Sequence, residues 1–338
     1  MTRYIGRRAV FALGVITGVV ILTFLIARMV PGDPAVAWAG PKVPPSAIAQ
    51  VRKQLGLDRP LPVQIVKYFA GVLRGDWGVS IHTHQPVLSD LRRAAPASLE
   101  LVGAALLIAV IIGVPLGLIS ASQSGRLLDH SVRIVTTLAV SMPIFWMALI
   151  MQMLFFQRLH LLPVAGQYDL NLGFAHPVHT YTGMVVVDSL LTGNWPMLRS
   201  SASHLVLPAL VVAAYPAGVI TKMVRASVLD TLGETHVQMV RAFGFSERSV
   251  HARFAMKLAW NPVAAVIALV FAYSLVNTFL VESIFNWPGV GSYAAASIGT
   301  LDTPAIVGVT LFIAIVYVTV NLMVDVAQAW LDPRIRLR

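Results

Sequence analysis

The sequence predicts an all-α integral membrane protein with six transmembrane helices. Of its 338 residues, 57% are hydrophobic and only 12% are charged, and the mean hydropathy is +0.75. One water-soluble core could not bury this much apolar surface. The uncharged runs are also long enough to cross about 30 Å of hydrocarbon, which takes roughly 20 helical residues. Six runs meet this condition: 9–27, 101–121, 134–157, 205–221, 258–281 and 303–324.

The runs divide the chain into four segments. We predict an N-terminal tail with the first helix, a structured outer loop, a core with the other five helices, and a C-terminal tail; their bounds are 1–30, 31–97, 98–330 and 331–338. The first run follows three arginines, as a secretory signal would, but it is longer than a typical signal core and no small-x-small cleavage site follows it. We therefore interpret it as a membrane anchor.

The distribution of Lys and Arg predicts that both termini are cytoplasmic. Three basic residues lie in the N-terminal tail, six in the connection 222–257 and three after Asp332, whereas the connection 286–301 has none. The outer loop contains eight basic residues, but loops of this length are translocated largely regardless of charge. The net charge of +10 is scattered over membrane flanks, so we expect no nucleic-acid partner.

The outer loop is expected to contain two short helices. Ser46 is a candidate N-cap for the first, which Gly56 would end, and the apolar face of the second would end at Gly75. These helices either lie on the membrane surface or dock a protein, and the sequence favours neither interpretation.

Prolines interrupt several runs at positions 115, 143, 208 and 216. Each proline removes a backbone hydrogen bond, and kinked helices commonly line a cavity that changes shape. Proline is also common in membrane helices in general, so together the four favour a transporter only modestly. The polar or adaptable residues that we place along its path, each explained equally well by interhelical packing, are Ser141, Met142, Pro143, Ser274, Asn277 and Thr278.

Two carboxylates are candidates for an outer gate. Asp33 and Glu282 lie near predicted outer ends of spans, where they could meet a substrate amine, although a solvated interface carboxylate is the default interpretation.

The chemistry of an enzyme is not evident in the spans. The six runs contain no Asp, Glu, Lys, Arg or His, which disfavours a membrane enzyme or metal site and, less strongly, proton or sodium coupling. His82 and His84 have no evident third ligand nearby, and the sequence lacks a phosphate-binding loop. We expect no metal and no cofactor on this chain, so energy for active transport would come from an ion gradient or another subunit.

The connection 222–257 carries the clearest pattern outside the spans. Residues that are apolar except for one histidine recur there at intervals of three and four, which places them along one side of a helix; they are Val228, Leu229, Leu232, His236, Met239, Val240 and Phe243. Gly244 is expected to end this helix and Ser246 to cap the next, with Glu247 near its positive end. Such a connector either lies on lipid or transmits motion from a soluble partner.

Seven motifs occur in order along the chain: RMVPGDPA (28–35), LGLDRPLPVQ (55–64), LRGDWGVS (73–80), SMPIFW (141–146), VRAFGFSE (240–247), VESIFNWPGVG (281–291) and LDPRIR (331–336). Together they make the sequence similar, nearly end to end, to the B-type permease subunit of bacterial dipeptide and oligopeptide ABC importers. The resemblance implies a type I ABC importer permease architecture in the bacterial cytoplasmic (inner) membrane. It also implies a C-type permease subunit, two ATP-binding subunits or domains that carry ATP and Mg, an extracytoplasmic solute-binding protein, a peptide substrate and membrane lipid as partners.

The resemblance further implies that the connector contains a coupling helix that docks in a groove of the ATPase. We assign to this loop Glu234, Arg241, Ala242, Phe243, Gly244, Phe245, Ser246 and Glu247. Residues 238–240 are Gln, Met and Val where the general importer pattern has Glu-Ala-Ala, and Phe243 takes a position that is often basic in peptide permeases. The alternatives are an ion-coupled secondary transporter, for which no internal repeat is evident, and, less favoured, an integral membrane enzyme.

Overall fold

The computed structural model describes residues 2–29, 33–40, 43–54 and 56–331, and every regular element in this part of the chain is a helix. The all-α prediction is therefore confirmed. The helices are α1 (Thr2–Met29), α2 (Pro34–Ala39), α3 (Pro45–Gln54), α4 (Leu61–Leu73), α5 (Val87–Ser122), α6 (Leu127–Ser141), α7 (Ile144–Met151), α8 (Leu170–Ala175), α9 (Val185–Leu191), α10 (Trp195–Leu232), α11 (Thr235–Ala242), α12 (Glu247–Ser249), α13 (Met256–Ile284), α14 (Val290–Gly299) and α15 (Thr303–Leu331). Two π-helical segments, Gln152–Arg158 and Val250–Ala255, extend α7 and join α12 to α13. Residues 332–338 of the predicted C-terminal tail lie outside the described residues.

Several helices are long and apolar enough to cross a membrane. Among the described residues these are Val87–Ser122, Trp195–Leu232, Glu247–Ile284 and Thr303–Met323. A fifth candidate is the pair formed by α6 and the extended α7, which is bent by 105°. The described chain thus has four or five apolar spans. The first predicted run lies within α1, whose described apolar stretch is Leu13–Ile26, and the count of six spans stays a prediction.

The chain divides into two compact units. Unit 1 comprises Met1–Ser98 and Pro288–Thr319, and unit 2 comprises Leu99–Trp287 and Val320–Arg338. Two of the three boundaries fall within α5 and α15, so each of these helices contributes a segment to both units, and the third falls in the loop between α13 and α14.

Unit 1 has two apolar clusters. In one, Val20 and Phe24 of α1 pack with Val307 and Leu311 of α15, and α4 covers this cluster. The other joins the first turns of α5 to α14 and α15; its buried members are Val87, Leu91, Ala94, Val290, Ala305 and Val309. The many van der Waals contacts of such closely packed apolar side chains hold these helices together.

A buried carboxylate fixes the loop before α5 within unit 1. Asp302 accepts a hydrogen bond from the Ser80 hydroxyl at 2.5 Å and another from the His82 amide at 3.1 Å. Both Ser80 and Asp302 are fully buried. Buried polar groups stabilise only when they are paired in this way.

Unit 2 is organised around α10, which packs against α6, α7, α9 and α13. Its contact with α5 depends on glycine: a Cβ atom on Gly117 would lie 2.6 Å from the Val224 Cβ and 2.7 Å from the Thr221 carbonyl oxygen. Gly113, one turn earlier, faces Ile220 in the same way, with 3.0 Å to its Cβ. Small residues four apart allow two membrane helices to approach closely.

Two local predictions need correction. Ser46 does not cap α3, because α3 begins at Pro45 and Ser46 lies inside its first turn; proline suits the first helical position because it has no amide hydrogen to leave unpaired. Of the four prolines predicted to interrupt spans, only Pro143 does so. α5 continues through Pro115, and α10 continues through Pro208 and Pro216.

Candidate functional site

The connector between α10 and α13 consists of two short helices around a tight turn. α11 ends at Ala242, and Gly244 follows with a φ of +84°, a conformation that glycine adopts without steric cost. Ser246 then begins α12 by accepting a hydrogen bond from the Ser249 amide at 3.4 Å. The predicted helix stop and N-cap are both confirmed.

An ion pair closes the turn of the connector. The guanidinium of Arg241, in the last turn of α11, donates to Glu247 through Nε (2.7 Å) and Nη2 (3.0 Å). The hydrogen bond to the Glu247 carboxylate raises the pKa of Arg241 above its ordinary value. The bidentate pair thus links the last turn of α11 to the first residue of α12 across the turn.

The apolar face of the connector differs from the prediction. The helix breaks at Gly233 instead of continuing from α10, so the residues after the break are rotated away from the predicted face. Val237, which was not predicted, is fully buried, whereas Met239 and Phe243 are 57% and 76% exposed. With Phe245 they form an exposed apolar group, the connector patch, and such a patch commonly marks a protein or membrane contact.

Unit 2 contains a cavity of about 260 Å³ among α6, α7, α10 and α13. Of the predicted path residues, Met142, Ser274 and Asn277 line it. Thr278 does not: it is buried, and its hydroxyl donates to the Leu275 carbonyl at 3.0 Å. Ser141 and Pro143 are exposed and are also absent from the wall.

The polar surface of this cavity is small and well defined. Ser274 donates to the Val270 carbonyl at 2.8 Å, and Asn277 Nδ2 donates to the Tyr273 carbonyl at 2.9 Å. The ring of Tyr273 also lies 4.8 Å, centroid to centroid, from that of Tyr215. These bonds leave acceptor oxygens of Ser274 and Asn277 for a guest, so the cavity combines aromatic walls with a few polar groups, as small-molecule sites do.

The two candidate gate carboxylates have different surroundings. Asp33 belongs to unit 1, caps α2 by accepting from the Ala35 amide at 3.0 Å, and pairs with Arg52. Glu282 belongs to unit 2 and is fully buried near the end of α13, where its main-chain oxygen accepts from the Trp287 amide at 2.8 Å. Asp33 therefore has a local structural role, while Glu282 is held inside its unit.

A buried ion pair was missed by the sequence analysis. Asp129, at the start of α6, is fully buried and pairs with Arg225 of α10 through Nε (2.7 Å) and Nη2 (2.8 Å). Ser120 and the Gly125 amide complete its hydrogen bonds, at 2.5 Å and 3.0 Å. The signal in the sequence is a pair of opposite charges that flank uncharged runs on the same predicted side of the membrane.

Two other buried carboxylates organise the segment between α7 and α10. Glu100 of α5 accepts from the Val186 amide at 2.7 Å. Asp188 accepts from the Thr182 amide and hydroxyl, both at 2.8 Å, and from the Gly183 amide at 3.0 Å. Burial acts to raise the pKa of Asp188, but these hydrogen bonds outweigh it and the pKa lies below its ordinary value.

Comparison with known families covers both parts of the chain. The family described as "Binding-protein-dependent transport system inner membrane component" matches residues 113–337. A separate family, which describes the N-terminal region of binding-protein-dependent transport system membrane components, matches residues 1–102.

Individual relatives extend over nearly the whole sequence. A probable D,D-dipeptide transport system permease protein of Escherichia coli (strain K12) is 39% identical over 95% of this chain and 94% of its own length. A dipeptide transport system permease protein of Alkalihalophilus pseudofirmus is 34% identical over 99% of this chain and 100% of its own length. A di/tripeptide transport system permease protein of Pseudomonas aeruginosa is 36% identical over 99% of both.

Proposed function

The chain belongs to the family of binding-protein-dependent transport system inner membrane components, and we propose on this premise that it is a permease subunit of an ATP-driven importer of dipeptides and oligopeptides. The observation that carries the proposal is the match to relatives named as dipeptide or di/tripeptide permeases over 95–99% of the chain. Family membership agrees with the resemblance carried by the seven motifs and disfavours an ion-coupled secondary transporter.

The proposed topology has six spans with both termini in the cytoplasm. α1, α5, the bent pair of α6 and α7, α10, α13 and α15 would cross the membrane in turn. The distribution of Lys and Arg supports this orientation, since the segment 222–257 carries six basic residues and the α13–α15 connection carries none. The connector would therefore face the cytoplasm, and the large loop after α1 would lie outside.

We assign the connector patch to the contact with an ATPase subunit. Met239, Phe243 and Phe245 are exposed around a turn that the Arg241–Glu247 ion pair bridges. Movement of a partner bound there would act as a lever on the helices at both ends of the connector. Val237 and Val250, both fully buried, anchor this lever within unit 2.

The substrate path would run past the cavity in unit 2. A peptide presents amide hydrogens, which the free acceptor oxygens of Ser274 and Asn277 suit, and the aromatic wall suits its side chains. The bend at Pro143 stands beside this cavity and gives α6 and α7 a place to change angle. Asp33 and Glu282, one in each unit, remain separate candidates for an outer-gate carboxylate that meets a substrate amine.

The partners follow from this role. A C-type permease would supply the other half of the path, and two ATP-binding subunits or domains would carry ATP and Mg. A solute-binding protein outside the membrane would deliver the peptide to the outer loops.

Co-purification tests the assembly. The tagged chain would be purified in mild detergent from its native host, and the proteins that accompany it identified by mass spectrometry. We expect a second permease and P-loop ATPases. A chain that arrives alone, under conditions in which a known importer complex stays intact, would contradict the proposal.

A pair of glycine variants tests the coupling role. Gly244 has a φ of +84°, and no atom lies within 4 Å of an added Cβ, so Gly244→Val perturbs the backbone conformation without a clash, at about 1–2 kcal/mol. We expect ATP hydrolysis to continue while peptide uptake falls. Gly233→Ala is the matched control, because Gly233 has a φ of −76° at the other end of α11. Equal uptake by both variants would count against coupling through this turn.

A further inference from the structure

Unit 1 contains a second cavity, of about 600 Å³, that has no part in the transport mechanism proposed above. Its walls come from α1, α2, α3, α4, the loop after α4 and the first turns of α15. Four aromatic side chains line it: Phe24, Trp38, Tyr68 and Trp77. A cavity of this size and character accommodates an apolar or amphiphilic guest.

The helix α4 divides its surface among three environments. Ile65, Phe69 and Val72 pack on the apolar cluster of unit 1. A second face lines the cavity; its residues are Gln64, Lys67, Tyr68, Ala70, Gly71 and Arg74, the last of them the C-cap. A third face is apolar and exposed, with Val63, Val66 and Leu73 at 42%, 68% and 88%. An exposed apolar face beside basic residues is typical of a helix that lies in the membrane interface.

The cavity wall carries positive charge available to a guest. In the described part of the chain neither Lys67 nor Arg74 forms an ion pair. Asp76, the carboxylate in the wall, accepts from the Gly78 amide at 3.0 Å. With two basic side chains and one acidic one, the wall favours an anion.

The wall also contains unsatisfied polar atoms. Gln64 Oε1 and the Tyr68 hydroxyl oxygen are buried without a hydrogen-bond partner among the described residues. Such atoms are costly unless they are paired. A small rotation of the Gln64 amide toward the cavity would let its oxygen accept from a bound polar group.

The position of the cavity identifies the kind of anion. Phe24 lies near the C-terminal end of the apolar stretch of α1, and Val307 lies in the second turn of α15. Both places are ends of apolar helices, where the hydrocarbon of a bilayer gives way to head groups. Trp and Tyr are enriched at this depth.

We propose that this cavity binds the phosphate head group of an anionic membrane phospholipid. Lys67 and Arg74 pair with the phosphate, the aromatic side chains contact the glycerol and the first acyl methylenes, and the exposed face of α4 continues into the acyl layer. The site requires only that the chain lies in a membrane. It does not depend on the transported substrate, so its failure would leave the proposed import function standing.

Photolabelling with a lipid tests the site. The complete importer would be placed in phosphatidylcholine nanodiscs containing a small fraction of photoactivatable phosphatidylglycerol, and the adducts mapped by mass spectrometry. We expect adducts on peptides that contain α4 and Trp77. One basic side chain near an anionic lipid surface strengthens binding about fivefold. The double variant K67Q/R74Q removes two such side chains, so it should lower this labelling about 30-fold.

The control variant removes two positive charges from unit 1 at positions outside the cavity. Lys53 and Arg93 are exposed and do not line the cavity, so K53Q/R93Q should change labelling less than threefold. Undiminished labelling of K67Q/R74Q would overturn the site, as would equal labelling by photoactivatable phosphatidylcholine. Competition by millimolar inorganic phosphate would identify a simple anion site instead, and competition by a dipeptide would identify a substrate subsite; either result refutes the lipid.

Discussion

The buried ion pair between α6 and α10 gives the largest predicted loss of stability. Asp129 is fully buried and its carboxylate accepts four hydrogen bonds, two of them from Arg225. Removing one partner of a buried pair costs about 3–5 kcal/mol, because the other charge is left uncompensated. The Arg225 side chain is 24% exposed and can reach water, so Asp129→Ala is expected to cost about 3 kcal/mol.

Companion variants separate charge from packing. Asp129→Asn keeps an acceptor for Ser120 and should lose less stability than Asp129→Ala, by about 1 kcal/mol. Arg225→Met leaves the buried carboxylate unpaired and should also be strongly destabilising. The double variant D129N/R225M removes both charges, so its loss should be smaller than the sum of the single losses by about 1–3 kcal/mol.

The assay is the free energy of unfolding of the purified chain in mixed micelles, measured by denaturing-detergent titration. Arg133→Met is the matched control for Arg225→Met, because Arg133 lies on α6 with Asp129 and its side chain is exposed. This control should change stability by less than about 0.5 kcal/mol. Strict additivity in the double variant, or a loss below about 1 kcal/mol for Asp129→Ala, would refute the reasoning.

Three further predictions concern other parts of the molecule. Gly117→Leu should separate α5 from α10 and lower the thermal midpoint of the complex more than Gly103→Leu, since an added Cβ meets Val224 only at Gly117. The pKa of Asp188 is lowered in the folded chain, so its stabilisation is present above its unfolded pKa of about 4 and is lost as the pH falls through the folded value; the hydrogen-exchange protection factors of segment 181–191, which are corrected for the pH dependence of intrinsic exchange, should fall over that window, and Asp188→Asn should abolish this fall. Phe243→Glu should weaken ATPase binding at least tenfold in a pull-down titration, and unchanged binding would remove the connector patch from that interface.

The sequence was informative where a local pattern determines a local structure. Gly75 and Gly244 have positive φ, as expected of the residues that end α4 and α11. Ser246 caps α12 because its side chain and the amide it satisfies are only three residues apart. Local hydrogen bonding and backbone sterics decide these features, so neighbouring residues suffice to predict them.

Features that depend on distant contacts were not predictable in the same way. The break at Gly233 changes which side of α11 is buried, and only the packing of unit 2 selects Val237 over Met239. Asp129 meets Arg225 across 96 residues of sequence. Pro143 breaks its span while Pro216 does not, so the presence of a proline in an apolar run does not by itself predict a break.

The cavity in unit 2 illustrates both situations. Met142, Ser274 and Asn277 were recognised as polar or adaptable residues in apolar runs, and they line the cavity. Thr278 is also a polar residue in the same apolar run. It lies one position further round α13, and its buried side chain does not reach the cavity wall. Residue type predicts which groups suit a path, and helix rotation within the packed unit decides which of them reach it.

Reconstituted transport distinguishes ATP-driven import from ion-coupled import. The purified importer with its binding protein would be placed in proteoliposomes, and uptake of a labelled dipeptide measured with ionophores that dissipate proton and sodium gradients. We predict accumulation that requires ATP on the cytoplasmic side and is insensitive to the ionophores. Uptake that needs an ion gradient and proceeds without ATP would contradict the account.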